Sequence, residues 1–198
     1  MAKGDKRGHQ EHPIMPDGLI ARIRLKIKSG GYDDPENGWT NGCATRNQTG
    51  AVYLNCQFEV IDGEHAGQNF FSLIGLHTPK GPWWGNKGRK TLRDILNSAH
   101  EIADNDYTPH AIRSRQLESL SSFDGIEFVA EIGVRKDQGG VDRNELKSVI
   151  SPDDKRFAAF ATPSDMRPAH VDDGATEAPM GAKSLDDDDF VPAWLNRV

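Results

Sequence analysis

Cysteine is scarce in this chain: Cys43 and Cys56 are the two among 198 residues, and they form no CxxC or other zinc-like spacing. That argues against a disulfide scaffold and for a reducing compartment. Long apolar runs are missing too, and none approaches the ~18 residues that a membrane span needs. Residues 1–17 lack the apolar segment of a secretory leader and read as a disordered polar arm. Catalytic signatures are equally absent. The seven histidines are scattered, with His9 and His12 in the arm, and no GxSxG, HExxH or HxE…PCxxC pattern occurs. The sequence therefore predicts a soluble, cytoplasmic protein that is not an enzyme and carries no cofactor.

One stretch imitates a catalytic motif. Gly85-Asn86-Lys87-Gly88-Arg89-Lys90-Thr91 looks like a phosphate-binding loop. The GxxxxGK[ST] spacing fails, however, and Trp83-Trp84 is not the buried strand that should precede it.

What is present is unevenly distributed. Hydrophobic residues make up 36% of the chain, which suits a compact body diluted by unstructured ends. Residues 1–156 hold 21 Lys+Arg against 22 Asp+Glu, whereas residues 157–198 hold 3 against 8. The net charge of −6 is therefore mostly in the tail, and the near-neutral body is free to meet a polyanion. The tail ends in Asp186, Asp187, Asp188 and Asp189, followed by Phe190, Val191, Pro192, Ala193 and Trp194. Four acids with an apolar end form a candidate protein-docking tip, with Phe190, Pro192 and Trp194 as its anchors. As a metal site such a run would be weak and unselective, so no metal is expected.

Periodicity divides the body. Residues 21–28 alternate, with Ala21, Ile23, Leu25 and Ile27 on one face and Arg22, Arg24, Lys26 and Lys28 on the other. Residues 29–50, rich in Gly, Asn, Asp and Thr, read as a long loop. Strands follow at 51–61 and 69–76, joined as a hairpin by a short turn starting at Asp62-Gly63. A Gly/Pro/Trp-rich loop (77–86) leads into a helix over 87–103, whose apolar stripe is Leu92, Ile95, Leu96, Ala99 and Ile102. A short helix is expected near 111–120, then strands at 126–135 and 142–150. Three strands, a helix and two strands give a mainly β chain with the order of an OB-fold, a five-stranded, partly open Greek-key barrel with disordered termini. Another α+β roll with the same order is the alternative. The divisions are an arm (1–17), the barrel (18–157), a linker (158–185) and the acidic tip (186–198).

Two features of the body suit unpaired nucleic acid. The four cations of the first strand span roughly 20 Å at ~3.3 Å per residue, a spacing for a polyanion. The plain alternative is a solvated face that resists aggregation. The loops also hold aromatic residues that a core does not require: Tyr32, Trp39, Trp83 and Trp84, with Tyr53 on the polar face of the second strand. Aromatic faces stack on bases at about 1–3 kcal/mol each. Arg46, Lys80, Lys87, Arg89 and Lys90 lie close by in sequence to contact phosphates.

With these elements placed, the chain resembles a phage-encoded family of OB-fold single-stranded-DNA-binding proteins. The likeness lies in Tyr53-Leu54-Asn55-Cys56-Gln57-Phe58-Glu59-Val60-Ile61-Asp62-Gly63, then Gly67 and Phe70-Phe71, the helix from Leu92 to Ile102, Phe123-Asp124-Gly125, and Arg143-Asn144-Glu145. It covers about residues 18–151. The tail separately is similar to the acidic tips of bacterial and phage single-stranded-DNA-binding proteins, although Phe190 precedes Pro192 and Trp194-Leu195-Asn196-Arg197-Val198 extends beyond. The resemblance implies binding of single-stranded DNA in the replication or recombination of a phage or mobile element, inside a bacterial host cell. Phosphate contacts would come from Arg22, Arg24, Lys26, Lys28, Arg46, Lys80, Lys87 and Lys90, and stacking from the five aromatics. Replication or recombination proteins would read the tip. A protein-interaction or inhibitor module whose acidic tail mimics DNA is the competing reading, and an RNA-binding module is a third.

Overall fold

The structure, a computed structural model, describes residues 13–160. Its largest feature is a curled antiparallel sheet built around β1 (Leu19–Lys28). β1 is flanked on one side by β4 (Val52–Val60) and on the other by β6 (Glu127–Lys136). β4 also pairs with β5 (Asn69–His77) along its whole length and, at its start, with β3 (Trp39–Arg46). β6 pairs with β7 (Asp142–Val149), and a three-residue β2 (Tyr32–Asp34) finishes the β3 edge. The curl brings β5 and β7 towards each other, yet they form no backbone ladder among the described residues. The barrel-like sheet is open there.

The alternation read from the sequence sets the inner face. Ala21, Ile23 and Leu25 of β1, and Val52, Leu54, Cys56, Phe58 and Val60 of β4, are all buried. Phe58 stacks on Phe70 of β5 (5.1 Å between centroids) and meets Phe128 of β6 edge-on (6.3 Å). Helix α1 (Trp83–Ala99) closes one end of this core with Leu92, Ile95 and Leu96. It ends where Glu101 adopts a left-handed φ of 53°.

Four expectations need correction. The 29–50 segment is not a loop: β2, a 3-10 turn (Pro35–Asn37) and β3 form a hairpin within it, so the sheet has seven strands and not five. α1 begins at Trp83, four residues earlier than its charged stretch suggested, which puts both tryptophans in the first helical turn. The second helix, α2 (Pro109–Ser114), is short and starts where Thr108 caps the Ala111 N–H at 3.3 Å. Finally, residues 13–17 of the presumed arm belong to the body. Met15 is buried and exchanges two 2.9 Å hydrogen bonds with the Asn144 side chain, while Asp17 accepts from the Val134 N–H.

The α1–β6 connection hangs on a buried arginine. Arg115 donates to Asn97 Oδ1 (2.6 Å) and to the Asp106 and Ala103 carbonyls, so its charge is met by fixed dipoles. Burial pulls its pKa down. After β7, a 3-10 turn (Lys155–Ala159) sets Phe157 against Val129 and Ile150, and the Phe160 carbonyl accepts from Arg22. The linker beyond this point and the acidic tip, Asp186 to Asp189 with Phe190, Pro192 and Trp194, lie outside the described residues.

Candidate nucleic-acid interface

β1 is a central strand, and its cations meet acids that its own sequence does not show. Arg24 donates to Glu127 on β6 (3.0 and 2.5 Å) and lies 3.9 Å from Glu59 on β4. Lys26 reaches Glu59 at 2.8 Å, and Arg22 lies 3.9 Å from Asp62. The register explains this: Arg24 sits opposite both Glu59 and Glu127. The hydrogen bond from Lys26 holds the Glu59 carboxyl below its ordinary range, and the hydrogen bonds that Arg24 donates to the Glu127 carboxylate raise the Arg24 pKa. Lys90 is likewise tied to Asp94, one turn on along α1, at 3.0 Å. The expected cationic stripe is thus an ion-paired one. Lys28 differs: its ammonium sits 4.2 Å from the centre of the Phe71 ring on β5.

The aromatics divide as well. Trp39 is buried in the core, and Tyr32 packs on it at 6.4 Å with the Arg46 guanidinium 5.4 Å from the Tyr32 ring. These three form a hairpin cluster of their own. Lys80 is exposed on the turn before α1. Tyr53 and Trp84 meet at 6.2 Å over Gly75, where a Cβ would strike the indole. Trp83, one residue earlier, is 64% exposed.

The phosphate-loop look-alike has a packing explanation. A Cβ at Gly88 would lie 1.7 Å from the Gly75 carbonyl oxygen, and one at Gly85 would lie 2.7 Å from that of Leu76. Both glycines let α1 sit directly on the β5 backbone. That contact carries Trp83, Trp84 and Lys87 to the open side of the sheet.

Between β5 and β7 lies a groove of about 1490 Å³. Of the six exposed large apolar side chains among the described residues, five line it: Ile14, Phe71, Leu73, Trp83 and Val141. Contiguous exposure of that kind marks a binding surface more often than chance placement. Four cations share the lining: Lys87 from α1, and Arg135, Arg143 and Lys147 from the β6–β7 hairpin, against Asp142 and Glu145. Arg135 pairs with Glu145 (2.6 Å), Arg143 with Asp137 (3.1 Å) and Lys147 with Glu131 (2.8 Å). Side chains of Arg135 and Arg143 remain 70% and 65% exposed, so their pairs are weak, screened by salt and open to competition from a phosphate. Lys87 has no ion-pair partner among the described residues.

The structure therefore brings together Lys28, Tyr53, Trp83, Trp84 and Lys87, and leaves Arg22, Arg24, Lys26, Lys90, Tyr32, Trp39, Arg46 and Lys80 elsewhere or engaged. Sequence reasoning missed Phe71, Leu73, Val141, Arg135, Arg143 and Lys147. A signal existed for two of them. The doublets Phe70-Phe71 and Leu73-Ile74 put apolar groups on both faces of β5, more than a solvated outer face requires.

Among the described residues, no group of three His, Cys, Asp or Glu is placed to hold a metal ion, and no helix is long and apolar enough to cross a membrane. Compared with protein-family models, curated proteins and solved structures, the chain matches none.

Proposed function

We propose that the chain is a non-catalytic binder of single-stranded DNA, with the strand running along the β5–β7 groove. The observation that carries this reading is the gathering of exposed Phe71, Leu73, Trp83 and Val141 beside Lys28, Lys87, Arg135, Arg143 and Lys147. Rings offer every base a stacking face, and cations along a backbone offer sequence-independent charge. Strand order supports the reading. With the β2–β3 hairpin treated as an insertion, β1, β4, β5, α1, β6 and β7 follow the OB-fold order, whose second and third strands and flanking loops bind oligonucleotides. The sequence resemblance to phage single-stranded-DNA-binding proteins agrees, and extends the proposal to replication or recombination in a bacterial cytoplasm, with partners recruited by residues 186–198.

Titrating the full chain with oligo-dT tests this. Tryptophan fluorescence should be quenched, and affinity should fall steeply as salt rises. A folded protein that shows no quenching at low salt removes the proposal.

A second reading has one observation in its favour. β5 and β7 each pair with a neighbour on one side only, so the groove is flanked by strand edges that an extended peptide could join. A mobility shift with single-stranded and duplex DNA separates the two, because a protein-docking or DNA-mimicking module binds neither. Competition with RNA of the same sequence tests the choice of nucleic acid.

A further inference from the structure

The outward face of β1, β4 and β5 falls into two halves. In one, the polar side chains satisfy each other: Lys26 reaches Glu59 at 2.8 Å, Arg24 bonds Glu127, and Gln57 donates to Asn69 at 2.9 Å. In the other they do not. The strand register sets Asn55 directly between Lys28 on β1 and Leu73 on β5, so the three side chains form one row. Among the described residues the half-buried Asn55 amide makes no hydrogen bond and Lys28 makes no ion pair. Strands disfavour asparagine, and this one ties no neighbour down, so the fold gives no reason for it. Leu73 is 52% exposed, and Phe71 carries the Lys28 ammonium 4.2 Å from its ring centre. Both Phe71 and Leu73 also line the groove, so the row continues that surface over β5.

An apolar floor, a free amide and a free cation match the three parts of a nucleotide: ring face, base edge and phosphate. A side-chain amide offers an acceptor beside donors, and the Watson–Crick edge of every base offers a donor beside an acceptor. We infer that Asn55 reads the Watson–Crick edge of one unpaired base resting on Leu73 and Phe71, with Lys28 at its phosphate. This rests on the single-stranded-DNA reading and names the residue that rejects a base whose edge is already engaged, as in a duplex. Because the amide suits all four bases, it adds no sequence preference.

The test titrates the full chain with oligo-dT and with the same oligomer built from N3-methylthymine, which keeps rings and phosphates but blocks the edge. One neutral hydrogen bond is worth about two- to tenfold in affinity, so the parent should bind the methylated strand about tenfold more weakly. Asn55→Leu, matched in size at an outward position, should bind oligo-dT about fivefold more weakly and prefer it to the methylated strand by about twofold or less. Asn55→Val replaces it if thermal melting shows Asn55→Leu to be unfolded. Gln57→Leu removes an amide that is already bonded, so it should keep the parent's preference. A parent that binds both strands alike, an Asn55 variant that keeps the preference, or a Gln57→Leu variant that loses it overturns the role of Asn55 and leaves the groove reading intact. A parent that binds neither strand overturns both.

Discussion

The outer face of β1 and the groove between β5 and β7 both carry cations, and they differ in what surrounds them. On β1, neighbouring strands supply Glu59 and Glu127 and the turn after β4 supplies Asp62, so Arg22, Arg24 and Lys26 all have ion partners beside the sheet. At the groove the sheet is open, the apolar side chains face outward, and the hairpin cations stay largely exposed. A row of like charges in sequence thus says less about a ligand than a place where pairing stops. Central strands satisfy their polar groups laterally, and a missing ladder leaves a surface with capacity to bind.

That contrast breaks most severely at the seat of α1. Gly88→Ala forces a methyl group into the Gly75 carbonyl and should cost about 3 kcal/mol or more of stability. It also displaces Trp83, Trp84 and Lys87, so chemical denaturation and oligo-dT titration should show stability and binding falling together. A variant as stable as the parent would mean that the close approach is not required.

The next largest effect separates binding from folding. Trp83→Ala and Phe71→Ala remove exposed rings, so each should weaken oligo-dT binding about 10- to 100-fold, the worth of one stacked base. Their melting temperatures should stay within a few degrees of the parent, as expected of exposed positions. The mirror image is Arg24→Ala. It leaves Glu127 without its cation and Glu59 with Lys26 alone, so it should lower the melting temperature while changing oligo-dT affinity less than threefold.

The smallest effect concerns the ion pairs that fasten residues 151–160 to β6. Arg156 hydrogen-bonds Asp154 and reaches Glu131 at 2.9 Å, which depresses the Asp154 pKa to about 2. Its folded value lies below its unfolded one, so the contribution is complete above about pH 4 and is lost as pH falls towards 2. Urea midpoints should drop between those limits more steeply in the parent than in Arg156→Gln. Parallel curves would remove the pair from the account.

Much of the scaffold was legible because period-two alternation is a local property. Every second residue from Val52 to Val60 and from Ala21 to Leu25 is buried, as the spacing required, and the Leu92, Ile95 and Leu96 stripe marked α1. The β2–β3 hairpin was not, because Asn41 and Gly42 both adopt positive φ (64° and 63°) within β3 and interrupt its alternation. The start of α1 was hidden by Gly85 and Gly88, which resemble loop residues until their contact with β5 is known. Lateral pairing of β1 was illegible in principle, since Glu59 and Glu127 are distant in sequence and meet Arg24 only through the register. The groove needed the same long-range information: β5 and β7 had to be known to approach without pairing.

The central claim is that nucleic acid binds where the sheet is open and not along β1. It is tested most directly by titrating oligo-dT into the full-length parent, Trp83→Ala and Arg24→Ala at one low salt concentration. The account predicts near-parent affinity for Arg24→Ala and at least a tenfold loss for Trp83→Ala. The reverse order of losses would contradict it.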